Sequence, residues 1–181
     1  MGPLHNYSVR IEWTGAGERG TQSYTSYGRD HILQIGEKPP LLGSADPAFR
    51  GDADRYSPEE LFVGALSQCH MLWFLHMAAR ADVVVTGYTD RATGTMRVET
   101  AGAGQFVEVI LHPKVTVRGR VSEELITRLH QQAHDHCFIA RSVNFPVRHS
   151  PLATLSEDEA RARDDNSGHD ASSGDTSAAA G

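Results

Sequence analysis

The chain of 181 residues contains only two cysteines, Cys69 and Cys137. Two cysteines are too few for the disulfide-dense scaffold of a small secreted protein. An excess of positive charge is also lacking, because 17 Lys and Arg stand against 23 Asp and Glu, a net charge of −6. Nucleic-acid surfaces need clustered Lys and Arg, so no nucleic-acid partner is expected. The first residues lack the basic segment and apolar run of a secretory signal peptide, and a cytoplasmic location with reduced thiols is expected.

A single long segment without formal charge, residues 61–79, could be mistaken for a membrane span. It is long enough to cross a bilayer. Five of its side chains nevertheless interrupt the apolar pattern, and they favour the buried helix of a soluble protein, with no membrane partner: Ser67, Gln68, Cys69, His70 and His76.

Hydrophobic periodicity predicts an α+β fold of order β-β-α-β-β(β)-α-β, with antiparallel hairpins around two helices. Residues 7–13 alternate as a strand, and residues 21–27 are predicted to return beside it. Ser57-Pro58-Glu59-Glu60 predicts the start of a helix that runs to about residue 79. This helix is apolar on most faces, so neighbours are expected to surround it. Ser122 predicts the N-cap of the second helix.

The remaining strands are predicted from short runs of apolar or alternating residues, at 83–85, 95–100, 106–117 (one long strand or two around Pro113) and 143–147. Residues 1–154 are expected to form one domain that contains a long Pro-, Gly- and Asp-rich loop at 38–56. Long ordered loops in compact domains are often functional. Residues 155–181 are rich in Asp, Ser, Gly and Ala, which predicts a disordered acidic tail.

Both cysteines have polar neighbours inside otherwise apolar helices. The first cluster is Ser67-Gln68-Cys69-His70, and the second is His134-Asp135-His136-Cys137. A lone thiol in a helical core is usually a small hydrophobic residue. Buried polar groups need partners, however, so the two clusters are predicted to meet.

A thiol reacts as the thiolate, and apolar burial would raise its pKa. Cys69 lies ten residues beyond Glu59, too far into the helix to benefit from the dipole of the first turn. A cation must therefore come from another segment, and Arg50, in the loop before the helix, is the candidate. Glu59 could hold its guanidinium in a bidentate pair. An ordinary surface pair or cap is the alternative for both residues.

These segments resemble the OsmC/Ohr family, most closely its OsmC-like members with His directly after the first cysteine. The resemblance spans residues 7–150 and is carried by Phe49-Arg50-Gly51-Asp52, Ser57-Pro58-Glu59-Glu60-Leu61, Ala65-Leu66-Ser67-Gln68-Cys69-His70-Met71 and His136-Cys137-Phe138-Ile139-Ala140. It implies an intertwined homodimer with a long central helix from each chain and two active sites across the interface. The implied activity is thiol-dependent reduction of organic hydroperoxides, with hydrogen peroxide as a further substrate.

Carried over residue by residue, Cys69 matches the peroxidatic cysteine, Cys137 the resolving cysteine and Glu59 the active-site glutamate. The family arginine falls on Arg50, because it precedes the Pro-Glu-Glu helix, and other members place it in the first hairpin, at Arg19 or Arg29. The implied cycle passes through a Cys69 sulfenic acid and a Cys69–Cys137 disulfide. An external dithiol reopens this disulfide, and the family suggests a dihydrolipoyl group on a lipoyl protein. Neither cofactor nor metal is implied.

Two features depart from the hydroperoxide-resistance members and leave alternatives open. Phe138 follows Cys137 where those members commonly have Pro, and His70 and His136 flank the cysteines. One alternative is a non-catalytic OsmC-like stress protein or small-ligand carrier. The other is a metal-binding protein using Cys and His ligands, for which the candidates are Cys69, His70, His136 and Cys137, with His130 and His134 at i,i+4 spacing.

Overall fold

The computed structural model describes residues 2–100, 102–151 and 153–159. The chain divides into two compact units, Met1–Gly64 and Ala65–Gly181. The order of elements along the described residues alternates strands with two long helices, which confirms the predicted α+β class.

The first unit contains an antiparallel sheet of β1 (Arg10–Trp13), β2 (His31–Gln34) and β3 (Leu41–Gly43), in the order β1-β2-β3. All four residues of β1 are exposed to solvent, although the strand includes Ile11 and Trp13. An apolar strand exposed on both faces is unusual for a soluble chain.

The prediction of a returning strand at residues 21–27 is wrong. Gly20–Gln22 forms a 3₁₀ turn, and Gly20 adopts a φ of 53°, a left-handed conformation that suits glycine. Ser26 Oγ donates to the Gly20 carbonyl at 2.6 Å, and the Arg29 guanidinium donates to two further carbonyls of this loop. Side chains therefore satisfy backbone groups that a strand would pair, and the chain returns only at β2.

Helix α1 spans Pro58–Arg80, close to the predicted bounds. The Ser57 amide donates to Glu60 Oε2 at 2.8 Å, and the Glu60 amide donates to Ser57 Oγ at 3.2 Å, which forms the predicted capping box. Among the described helices, α1 alone has the length and composition to cross a membrane, a test that core helices of soluble proteins also pass.

The prediction that α1 is buried on most faces is wrong for the part of the chain that the structure describes. The buried residues follow one stripe along the helix: Leu66, His70, Phe74, Met77 and Ala78. Leu72 is 62% exposed. A helix that is apolar all round is usually enclosed, but the described residues leave the other faces of α1 uncovered.

The second unit contains two three-stranded sheets. One consists of β4 (Val85–Asp90), β7 (Pro113–Val117) and β9 (Ala153–Ser156), and the other of β5 (Thr93–Val98), β6 (Gly104–Leu111) and β8 (Val147–His149). The pairs β4–β7 and β5–β6 are antiparallel, as predicted. The C-terminal strands β8 and β9 pair in parallel with β6 and β7, so the sheets are mixed.

Helix α2 spans Glu123–His136 and begins at the predicted cap, because Ser122 Oγ accepts the Leu125 amide at 3.3 Å. Its buried face packs with α1 and β7 in a core that contains Phe74, Met77, Ala78, Val83, Val115, Val117, Ile126, Leu129 and Ala133. The last described strand extends the fold beyond the expected boundary at residue 154, since Leu155 in β9 is 5% exposed. The rest of the predicted tail, from residue 160, lies outside the described residues.

Candidate functional site

The second unit brings its two free thiols into contact. Cys69 lies half-buried in α1, and Cys137 lies 1% exposed at the C-cap of α2. Burial, and secondly a hydrogen bond with the Cys69 side chain, raise the pKa of Cys137 to about 11. Cys137 is therefore protonated at neutral pH.

The backbone after α2 holds the Cys137 side chain in place. The residue leaves helical geometry with φ −64° and ψ 110°, which ends α2 at His136. The following 3₁₀ turn returns to it, because the Ala140 amide donates to Cys137 Sγ at 3.4 Å and the Arg141 amide donates to its carbonyl at 3.0 Å. The sulfur of Cys137 is thus fixed from two sides, by this turn and by Cys69.

An aromatic cluster lies beside the thiols. Trp73 follows Cys69 by four residues, one turn along α1. Its ring centroid lies 5.2 Å from that of His136 and 5.3 Å from that of Phe138, the two residues that flank Cys137. Phe138 is 67% exposed. The thiol pair therefore borders an accessible apolar surface that could accept an organic group.

Two buried histidines and a half-buried third form a cluster in the same unit as the thiols. His70 Nε2 and His130 Nδ1 lie 3.1 Å apart in a hydrogen bond. The His149 ring centroid lies 5.5 Å from that of His70 and 5.9 Å from that of His130. Burial lowers the pKa of His70 to about 3 and that of His130 to about 4, and neighbouring imidazoles lower both further in the same direction. The cluster is neutral at pH 7.

The histidines do not support the metal-binding alternative. Among the described residues, no group of three His, Cys, Asp or Glu side chains is arranged to hold a metal ion. His130 Nδ1 is engaged in the hydrogen bond with His70, and His136 Nδ1 lies 2.8 Å from the Gln132 carbonyl oxygen. The adjacent Cys-His pairs therefore do not converge on a common centre.

The three candidate arginines lie in the first unit and differ in their contacts. Arg29 donates to the carbonyls of Tyr27 at 2.6 Å and Tyr24 at 2.9 Å, and its guanidinium stacks over both rings. Arg50 is exposed at the end of the Pro47–Phe49 turn, where it adopts a φ of 68°, and its guanidinium lies 6.0 Å from the Tyr24 ring centroid. Arg19 is exposed before Gly20–Gln22. The Arg29 guanidinium thus forms its hydrogen bonds within its own loop, whereas the N–H donors of the Arg50 guanidinium are available to another group.

Glu59 lies in the first turn of α1, and its Oε2 atom is buried without a hydrogen-bond partner among the described residues. The expected ion pair between Arg50 and Glu59 does not form within this chain, since neither residue is in an ion pair in the part that the structure describes. A buried carboxylate oxygen needs a donor. Among the described residues, this oxygen is therefore left without a hydrogen bond.

Two residues beside the thiols escaped the sequence analysis. Trp73 could have been found from its i,i+4 spacing to Cys69, which places both on one side of α1. His149 carries no local signal, because it approaches His70 only through the parallel pairing of β8 with β6.

Known proteins resemble the chain in sequence and in fold. A profile of OsmC-like proteins matches residues 51–150. An OsmC-like protein of unknown function from Vibrio cholerae is 30% identical, with a TM-score of 0.75 over 82% of this chain and 100% of that one. An organic hydroperoxide resistance protein from Elizabethkingia anophelis is 19% identical, with a TM-score of 0.62 over 86% and 99%. The organic hydroperoxide resistance protein OhrB of Bacillus subtilis is 15% identical, with a TM-score of 0.58 over 82% and 99%. At these lower identities the last two share the fold alone. Among curated proteins, no sequence is similar to this chain.

Proposed function

Because this chain belongs to the OsmC family, we propose that it is a thiol-dependent peroxidase that reduces organic hydroperoxides through Cys69 and Cys137. The observation that carries the proposal is the contact between these two free thiols, which come from different helices and are 68 residues apart in sequence. Disulfide formation requires two thiols that lie close together in the fold. The exposed apolar surface around Trp73 and Phe138 suits the organic part of a hydroperoxide.

The reaction begins at Cys69, the more accessible of the two thiols. Its thiolate attacks the terminal oxygen of ROOH, the O–O bond breaks, and the leaving alkoxide takes a proton to become ROH. Cys69 is left as a sulfenic acid. Cys137 then attacks the Cys69 sulfur, and the proton from Cys137 leaves with the hydroxide as water. The disulfide stores the two electrons lost to the peroxide, and an external dithiol restores them by thiol–disulfide exchange.

The high pKa of Cys137 suits the resolving role. Because it is protonated at neutral pH, it does not compete as a nucleophile for peroxide in the reduced state. When Cys69 becomes a sulfenic acid, the Cys137 sulfur is already adjacent to it. We propose a dihydrolipoyl group as the dithiol reductant, as the family resemblance suggests, and a reducing cytoplasm as the compartment.

We assign activation of Cys69 to Arg50 and Glu59 supplied by a second copy of the chain. Ten residues of α-helix rise about 15 Å, so Glu59 cannot contact Cys69 of its own chain. Its buried Oε2 lacks a donor among the described residues, and the Arg50 guanidinium is free to provide one. A guanidinium beside Cys69 would favour the thiolate and stabilise the charge that develops on the leaving oxygen.

The exposed apolar surfaces support the homodimer that this assignment requires. Strand β1 is exposed along its whole length, with Ile11 at 55% and Trp13 at 45%, and Leu72 on α1 is 62% exposed. A second copy would cover the free faces of α1 and complete both sites. Sedimentation equilibrium should give about twice the chain mass of 19.7 kDa, and a monomer that retains full turnover would refute the shared site.

The activity is tested by coupling peroxide reduction to lipoamide, lipoamide dehydrogenase and NADH oxidation with cumene hydroperoxide as the substrate. The wild type should turn over continuously, and Cys69→Ser should be inactive. Cys137→Ser should consume one equivalent of peroxide and leave a sulfenic acid at Cys69 that dimedone traps. Equal rates in all three proteins, or no peroxide consumption by the wild type, would exclude the peroxidase and favour the non-catalytic carrier.

A further inference from the structure

The two helices that carry the thiols are joined by a second polar contact inside the core. His70 directly follows Cys69 in α1, and His130 lies seven residues before Cys137, two turns back along α2. The His70–His130 hydrogen bond of 3.1 Å therefore holds the middle of α2, while the thiol contact lies at its end. Both imidazoles are fully enclosed, with exposures of 1% and 0%.

The His70–His130 pair stabilises the core less than apolar side chains at the same positions would. His70 Nδ1 and His130 Nε2 are buried without hydrogen-bond partners among the described residues, and an unsatisfied buried polar atom destabilises the fold. A leucine would fill either position without that cost. An imidazole pair differs from apolar packing because its hydrogen bond is directional: it requires both rings in one orientation and at one separation.

The surroundings of the pair fix the rings further. Phe74 stacks on His130 with a centroid distance of 4.2 Å, one helical turn beyond His70. His149 on β8 faces both rings, and His134 in turn faces His149, with a centroid distance of 5.6 Å. Neither imidazole can rotate away without displacing an aromatic neighbour.

We propose that the His70–His130 hydrogen bond is a positioning device that holds α2 against α1 so that Cys137 remains within bonding distance of Cys69, and that it thereby sets the dithiol–disulfide equilibrium of the pair. A disulfide tolerates Cα separations of only about 4.4–6.8 Å. A displacement of α2 by about an ångström therefore lowers the effective concentration of one thiol at the other. The inference rests on the proposed redox function and adds the residues that tune it.

The test measures the equilibrium of the full-length protein with glutathione buffers at pH 7, with the dithiol and disulfide forms counted by mass after thiol alkylation. In His130→Leu, which keeps the volume and removes the hydrogen bond, the disulfide should be about tenfold less favoured, equivalent to about 30 mV. In His130→Asn, whose side-chain amide can donate or accept a hydrogen bond in place of Nδ1, the equilibrium should return to within about threefold of the wild type.

A matched control separates positioning from general loss of stability. Leu129→Ala removes apolar packing from the adjacent buried position of α2 and should lower the melting temperature without moving the glutathione equilibrium. An equal shift in Leu129→Ala and His130→Leu, or no shift in His130→Leu, would overturn the proposal. If His130→Leu does not fold, His70→Leu removes the same hydrogen bond from α1 and is judged by the same outcomes. A wild type without any intramolecular disulfide would instead refute the proposed function.

Discussion

Acidification should destabilise the fold through its buried imidazoles. Burial, and secondly the neighbouring histidines, hold the pKa of His70 at about 3, and burial with His149 holds that of His130 at about 4. In the unfolded chain both side chains titrate near their ordinary value of about 6.5. Below that pH the unfolded chain binds protons that the folded chain does not. The free energy of unfolding therefore has its full value above about pH 6.5 and decreases as the pH falls towards 4.

The magnitude follows from the number of buried imidazoles. Each pH unit well below 6.5 costs about 1.4 kcal/mol for each histidine that remains neutral in the fold. At pH 5 the two histidines together lower the free energy of unfolding by about 4 kcal/mol, which is a large part of the 5–15 kcal/mol typical of a domain. The lowered pKa of His149 acts in the same direction.

Urea denaturation between pH 7 and pH 5, at one fixed chain concentration, measures this effect. The slope between pH 6 and pH 5 should be at least about 2 kcal/mol per pH unit in the wild type. His130→Asn should reduce it by about 1 kcal/mol per pH unit, since one proton-binding site is removed. As a control, His5→Asn replaces an exposed histidine and should leave the slope of the free energy of unfolding against pH unchanged. A flat wild-type profile, or an unchanged slope in His130→Asn, would show that these imidazoles are not buried as described.

Three further predictions concern other parts of the chain. Arg50→Ala should slow the alkylation of Cys69 by iodoacetamide at neutral pH, whereas Arg19→Ala should not. The reverse result would assign the activating role to Arg19. Trp73→Phe should abolish the change in tryptophan fluorescence on oxidation by one equivalent of peroxide, because this indole contacts the segment around the disulfide, whereas Trp13→Phe should retain the change. Ser57→Ala should lower the free energy of unfolding by about 1 kcal/mol through loss of the helix cap, measured by urea denaturation, and an unchanged value would show that the capping box is not formed.

The parts of the fold that could be predicted from sequence are those specified by local interactions. The start of α1 depends on four consecutive residues that hydrogen-bond to one another, from Ser57 to Glu60, and Ser122 caps α2 in the same way. The failures are non-local. The segment 21–27 has strand-like composition, but Arg29 and serine side chains take its backbone partners. The parallel pairing of β8 and β9 depends on strands far away in sequence, which local periodicity cannot reveal.

The candidate site was predictable to a similar extent. The expectation that the polar clusters around Cys69 and Cys137 meet follows from the cost of burying unpaired polar groups, and the two thiols are in contact. The roles assigned to Arg50 and Glu59 stay predictions. Their side chains do not pair with each other in the part of the chain that the structure describes, and the periodicity of one chain carries no information about residues that a second copy would supply.

The polar residues within the apolar helix α1 can now be explained together. Ser67 Oγ donates to Asp90 Oδ2 of β4 at 2.6 Å, Cys69 contacts Cys137, and His70 forms a hydrogen bond with His130 of α2 at 3.1 Å. A slip of α1 by one turn, about 5.4 Å, would still place apolar side chains against the core, because the helix is apolar on most faces. The same slip would separate all three polar pairs at once. Apolar packing therefore drives the burial of α1, whereas the polar contacts select one position along its axis, and that position is the one that places the two thiols together.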